Sequence, residues 1–410
     1  MLLNYLWIAF FLVALLHGAV QVLAGGDAQL FDGMLMAVFS ASRSAFEIAL
    51  GLTGTLAFWL GMLKIGERSG FVLLLTRGLT PLFRRLMPEV PADHPALGAI
   101  VMNLSANVLG LDNAATPLGI KAMQELQSLN PRPDTASNAQ ILFFVINASS
   151  VTLFPLTILT FRAQMGAAYP ADVFVPILLA TFCSTLAGLL SVAYLQRLRL
   201  ADWVTLAYLA GGIGLAAALV GYVLQADAEA MQQRSANLSS IVLLGLIGAF
   251  LAGAMVRRIN AYEAFIEGAK EGFQTAVGIV PYLVAMLVAI SVLRASGLLE
   301  SVAEMLRQAA QLAGADTRFV DALPTALIKP FSGSGARAMM LETMDHFGVD
   351  SLQGRLATVI QGSTETTFYV LTVYFGAVGI RNVRHAVGCG LLAELAGVIA
   401  AVVICLRFFG

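Results

Sequence analysis

Long apolar runs alternate along the chain with short polar interruptions, and the length of each run limits what it can be. A helix needs about 20 apolar residues to cross a bilayer. Runs of that kind occupy about 2–24, 45–65, 141–161, 173–196, 203–224, 239–256, 273–293, 355–377 and 385–407. Two further stretches, 69–123 and 298–346, mix apolar residues with Arg, Pro, Asn and Gly, and neither holds a clean span. Inside the first, GFVLLLTRGLTPLFRRLMPEV at 70–90 spaces Arg77, Arg84 and Arg85 among apolar residues. It predicts a helix lying in the headgroup plane, arginines toward lipid phosphates.

Short loops orient the spans, because Lys and Arg stay cytoplasmic. Arg197 and Arg199, Arg257 and Arg258, and Arg381 and Arg384 mark inside loops, whereas GGDAQLFDG, RAQMGAAYPAD and QADAEAMQQRSANLSS fall outside. These assignments agree only if 69–123 and 298–346 each return to the face they entered from, as re-entrant hairpins. The expected fold is an all-α polytopic membrane protein with about nine transmembrane helices plus two re-entrant hairpins. It is expected in a bacterial inner membrane, with its N-terminus on the cytoplasmic side.

Composition agrees: 58% of the 410 residues are hydrophobic and 12% charged, against roughly 25% charged in soluble domains. A net charge of −1 gives no basic face for nucleic acid. No Lys or Arg precedes Arg43, so the first run reads as a retained span, not a signal peptide. Cys183, Cys389 and Cys405 sit in apolar runs at no metal spacing and read as small hydrophobes. There is no HExxH, Walker loop or GxSxG, and SGSG at 332–335 lacks a histidine partner. Neither an enzyme nor a bound cofactor or metal is expected.

The sequence also repeats itself. TPLGIKAMQEL (116–126) aligns with GSGARAMMLE, matching Gly119 to Gly335 and Lys121 to Arg337. NASSVTLFPLTILTF (147–161) aligns with QGSTETTFYVLTVYF (361–375), pairing Asn147 with Gln361, Ser149 with Ser363, Ser150 with Thr364 and Thr152 with Thr366. Glu47 and Glu271 are expected to open corresponding helices. The two copies begin on opposite faces, so the halves are inverted, with the span at 203–224 as the extra crossing. Residues 1–200 form the first repeat, 201–225 a linking helix and 226–410 the second repeat. Inverted repeats with polar, interrupted helices near the midplane are the architecture of secondary transporters.

NLSANVLGLDNAATPLGIKAM (103–123) resembles the signature of spore maturation protein A. EGAKEGFQTAVGIVPYLVAMLVAISVLRASG (267–297), KPFSGSGARAMMLE and QGSTETTFYVLTVYFGAVGIR resemble spore maturation protein B. The chain looks like a fusion of the two, within the nucleoside-recognition or gate-domain group. The resemblance implies a nucleoside-like or other small organic solute.

The candidate site residues are the polar groups of the hairpins and of the spans that follow them: Asn103, Asn107, Asn113, Thr116, Asn147, Ser149, Ser150 and Thr152, then Lys329, Ser332, Ser334, Arg337, Gln361, Ser363, Thr364, Glu365 and Thr366. Pro117, Pro155, Pro330 and Gly362 interrupt the same runs, so backbone there must line a cavity or be sheltered by protein. Serine and threonine also serve as ordinary helix–helix contacts, whereas Lys329, Arg337 and Glu365 at membrane depth point to function. Glu365, whose counterpart is Val151, is the expected coupling carboxylate. Glu394 is the expected buried partner of Arg384 or His385. The sequence thus reads as a secondary transporter of a small polar solute, coupled to a proton or sodium ion, with self-association left open. The competing reading is a membrane scaffold for cell-envelope enzymes.

Overall fold

A computed structural model describes residues 2–24, 29–109, 112–149, 153–224, 228–312, 314 and 316–410. Its helices are α1 (Leu2–Leu23), α2 (Leu30–Arg68), α3 (Phe71–Leu86), α4 (Pro95–Leu109), α5 (Asp112–Ser128), α6 (Asn138–Ala148), α7 (Leu156–Gln164), α8 (Phe174–Gln196) and α9 (Trp203–Leu224). They continue with α10 (Ala228–Val256), α11 (Ala261–Ala295), α12 (Leu298–Leu312), α13 (Leu323–Ile328), α14 (Gly333–Phe347), α15 (Leu352–Ser363), α16 (Thr367–Gly376) and α17 (Ala386–Phe409). Among the described residues, the pairing of Thr135 with Asn382 is an isolated bridge outside any strand.

Among the described residues, six helices are long and apolar enough to cross a membrane: Leu30–Arg68, Phe174–Gln196, Trp203–Tyr222, Ala230–Val256, Ala261–Ala295 and Ala386–Phe409. Large apolar side chains left bare on them, such as Phe39, Leu50, Ile241 and Val403, form the kind of surface that lipid covers. Two expected spans change character. Residues 141–161 and 355–377 are each two half-helices, α6 with α7 and α15 with α16. Glu47 and Glu271 do not open helices either; both lie inside the long helices α2 and α11. The amphipathic segment expected at 70–90 forms α3, and α4 with α5 makes a hairpin beside it.

The helices α2 and α11 pack along one another because α11 carries glycines one turn apart where the backbones meet. A Cβ on Gly268 would lie 2.3 Å from the Leu60 carbonyl oxygen, and one on Gly272 would lie 2.6 Å from the Ala57 Cα. Small residues at this spacing let membrane helices approach closely. Gly268→Val should therefore force the pair apart and cost about 1–3 kcal/mol, seen as a lower melting temperature in detergent. Gly278→Ala, on the same helix with nothing within 4 Å of its Cβ, should leave the melting temperature in place.

Three buried ionic groups tie distant parts of the chain together. Arg162 donates from Nη2 to Asp172 Oδ1 at 3.0 Å, and Arg355 donates from Nε to Asp172 Oδ2 at 2.7 Å. Arg162 Nη1 also donates to the Val349 carbonyl at 2.8 Å. The sequence reading left Arg162 and Asp172 at the edges of an outside loop.

Candidate functional site

Two helix breaks create the site. The half-helix α6 stops at Ala148 and α7 starts after Pro155, while α15 stops at Ser363 and α16 starts at Thr367. Each break frees carbonyl groups that must find donors inside the protein. At the end of α15, Ser363 Oγ donates to the Ile360 carbonyl (3.0 Å), Lys329 Nζ to Gln361 (2.9 Å) and Thr181 Oγ1 to Ser363 (3.3 Å). At the end of α6, Asn147 Nδ2 donates to the Phe143 carbonyl and Ser149 Oγ to Ile146, both at 2.9 Å. The Glu365 N–H donates to the Ala148 carbonyl at 3.0 Å. That last bond joins the two breaks to each other.

A cavity of about 300 Å³ lies against these breaks. Asn107 and Thr116 reach it from the α4–α5 hairpin and Asn147 from α6. Lys329 enters from the turn after α13, Arg337 from α14, and Gln361, Thr364 and Glu365 from the end of α15 and the break that follows. Phe154, Tyr369 and Tyr374 supply aromatic wall. Polar groups from five separate segments therefore converge on one small space.

Tyr374 is the hub of the amide side. Its hydroxyl donates to Asn147 Oδ1 at 3.1 Å and accepts from Asn103 Nδ2 at 3.3 Å. Asn107 Nδ2 donates to the same Asn147 oxygen at 2.8 Å, and Asn103 Nδ2 also reaches the Ala115 carbonyl at 2.7 Å. The ring of Tyr374 stacks on Phe143, centroids 5.3 Å apart and planes 9° from parallel. Room for the hydroxyl comes from Gly119, whose Cβ would stand 2.1 Å from it.

On the other side the wall is left with acceptors to spare. Gln361 Nε2 donates to the Gly333 carbonyl at 3.4 Å, but Gln361 Oε1 and Thr364 Oγ1 have no hydrogen-bond partner among the described residues. Both side chains are buried, Gln361 at 6% and Thr364 at 1% exposure. An unpaired buried acceptor costs about 1–3 kcal/mol, which a ligand donor would recover. The Arg337 guanidinium carbon stands 5.5 Å from the Phe161 ring centroid, a distance suited to cation–π attraction. Lys329, at 3% exposure, sits at the negative end of α15, where a cation is favoured.

Other candidate residues serve the scaffold. Asn103 stands behind the wall as an anchor for Tyr374, and Ser149 and Ser363 bond back to their own helices. Ser332 caps α14 by accepting from the Gly335 N–H at 2.9 Å, with Ser334 Oγ 3.3 Å away. Thr366 is buried beside Gly333, where an added Cβ would lie 2.8 Å from its Oγ1. Ser150, Thr152 and the side chain of Asn113 lie outside the described residues.

Two carboxylates differ from expectation. Glu365 lines the cavity but is exposed, standing in the break at 364–366 outside either half-helix. The buried carboxylate is Glu394, at 3% exposure, and it accepts from Thr367 Oγ1 at 2.7 Å. Its expected partners bond elsewhere: Arg384 Nη1 donates to the Ala136 carbonyl and to Asn138 Oδ1 (3.0 Å each), and His385 Nε2 lies 3.2 Å from Gln196. The aromatic wall was missed, since a tyrosine in an apolar run looks like core until its hydroxyl is seen to have a polar partner.

The family model for nucleoside recognition, Gate, matches residues 49–165 and 276–381, together more than half of the chain. Spore maturation protein B of Bacillus subtilis (strain 168) is 46% identical over 171 residues, 41% of this chain and 94% of that protein. Spore maturation protein A of the same organism is 38% identical over 191 residues, 47% of this chain and 94% of that protein. No solved structure matches the chain. With one family model matched in two segments and both maturation proteins matched over nearly their whole length, the chain belongs to the nucleoside-recognition Gate family and has the make-up of a fused A/B protein.

Proposed function

We propose that this protein is a secondary transporter of a small polar organic solute in the cytoplasmic membrane. Two inverted halves, residues 1–200 and 226–410, would alternate access to the cavity around the linking helix at 201–225. The observation that carries the reading is the convergence of both helix breaks on one cavity whose wall holds two buried acceptors without partners. Broken helices at a repeat interface are where such transporters bind their cargo. The volume is at the small end of ligand pockets. The wall combines flat aromatic surface with amides and hydroxyls, which suits a solute having a planar face and several N–H or O–H donors. Nucleosides fit that description, and the family's own description supports them.

Thermal-shift measurements on the purified protein with a panel of nucleosides and other small polar solutes test the reading, since a bound ligand raises apparent stability. At least one should raise the melting temperature in a saturable way. Gln361→Leu removes one unpaired acceptor and should weaken that ligand roughly tenfold, one neutral hydrogen bond being worth about 0.5–1.5 kcal/mol. A panel with no saturable shift, or a leucine variant that binds unchanged, would rule out this cavity as the solute site.

A further inference from the structure

We infer that Glu394, rather than Glu365, is the carboxylate that takes up and releases a proton in this protein, with Lys329 as the cation that balances it when ionised. The role rests on the transport reading above, in which a coupling ion must be held somewhere. Glu394 lies in the apolar helix α17 at 3% exposure, Thr367 Oγ1 bonds its Oε2, and Oε1 has no partner among the described residues. An ionisable group kept at that depth is costly, and in transporters such carboxylates form proton relays.

The charged surroundings are few. Lys329, Arg337 and Glu365 line the cavity together with Thr364. Of the helices packed on α17, α6 carries no titratable group, α8 only Cys183 and Tyr194, and α16 only Tyr369 and Tyr374. On α15, Arg355 is engaged with Asp172, and on α10 Arg234 donates to the Tyr222 carbonyl, while Glu229 lies at that helix's start. On α17 itself, Cys389, Cys405 and Arg407 complete the set, with His385 at its N-cap.

Glu394 is coupled to the cavity by short links. Thr364, in the cavity wall, packs its methyl against Gly397, one turn along α17 from Glu394; a Cβ there would lie 2.8 Å from it. Lys329 lines the cavity while its Nζ holds the Gln361 carbonyl at 2.9 Å. The step is a plain proton transfer: an O–H bond of hydronium breaks to leave water, an O–H bond forms at Glu394, and nothing is oxidised or reduced. With Glu394 ionised, its charge offsets that of Lys329. With Glu394 protonated, the site gains one positive charge and holds an anionic or electron-rich group of the solute more firmly.

Infrared difference spectra of the whole purified protein in detergent, taken between acidic and alkaline buffer, read this without any solute. Beside any band from the buried Asp172 and Glu342, a carboxylic-acid carbonyl band should appear on acidification that is missing in Glu394→Gln and present in Glu365→Gln. Thr367→Val, which removes the hydrogen bond to Oε2, should shift the band in frequency, so the assignment stays testable should Glu394→Gln fold poorly. A spectrum in which Glu394→Gln removes no band, or in which the band it removes is also lost in Glu365→Gln or unmoved by Thr367→Val, overturns the proposal. Replacing choline by sodium in the buffer should leave the band unchanged, and its loss in sodium would reassign the site to that ion. Because no solute is involved, failure here and failure of the nucleoside panel remain separate results.

Discussion

Replacing Asp172 with alanine should destabilise the protein more than removing any residue of the cavity wall, by about 3–5 kcal/mol. Asp172 is fully buried and accepts from two guanidinium groups, Arg162 at 3.0 Å and Arg355 at 2.7 Å. Its backbone carbonyl also accepts from Ser235 Oγ at 2.7 Å. Without the carboxylate, Arg162 is left at 0% side-chain exposure with Asp350 as its remaining counter-charge. An uncompensated buried charge is what makes breaking such a group costly. Asp350 is 34% exposed, so Asp350→Ala should cost about 1 kcal/mol or less. Denaturation of both variants in the same detergent checks the order. Equal losses would mean that the cluster is not held by Asp172.

The second large effect should come from Gly119→Val. An added Cβ falls 2.1 Å from the Tyr374 hydroxyl, a separation that no rotamer of a stacked ring can accommodate while keeping its bond to Asn147. Tyr374 must leave, taking with it one donor to Asn147 and part of the cavity wall. We expect solute affinity to fall by tenfold or more, the equivalent of about 1.4 kcal/mol, with a further overpacking cost of about 1–3 kcal/mol in stability. Tyr374→Phe is the milder comparison. It keeps the ring on Phe143 and leaves Asn147 with Asn107 and Asn103 with the Ala115 carbonyl. Its effect should stay near the value of one hydrogen bond, about 1 kcal/mol. If the phenylalanine variant binds as poorly as the valine variant, the hydroxyl itself contacts the solute.

Much of the wall could be read from polar residues misplaced in apolar runs. Asn107, Thr116, Asn147, Lys329, Arg337, Gln361, Thr364 and Glu365 all stand out that way, and all line the cavity. Serines standing out equally, such as Ser149 and Ser363, bond to their own helices instead. A hydroxyl can satisfy a carbonyl one turn back as readily as a ligand, so residue type alone does not separate the two roles. Pro155 and Gly362 marked the interruptions, but not where each half-helix ends. Hydropathy integrates over a window and reads through Pro155 and the break at 364–366, whereas the backbone turns out of the helix there because donors such as Lys329 and Thr181 wait to satisfy it.

The sequence by itself determined that the chain is helical and embedded in lipid, since run length and scarcity of charge leave few alternatives. It also marked the polar clusters, because amides, hydroxyls and charges stand out in apolar runs. Only the tertiary structure decided which of those groups meet. Tyr374 and Asn147 are 227 residues apart, and Arg355 and Asp172 are 183 apart, distances over which no local pattern carries information. It decided the two carboxylates as well: Glu365 stands exposed in a helix break, and Glu394 is buried against Thr367 of α16. Burial is a property of the neighbours a fold supplies, and a run of letters does not name them.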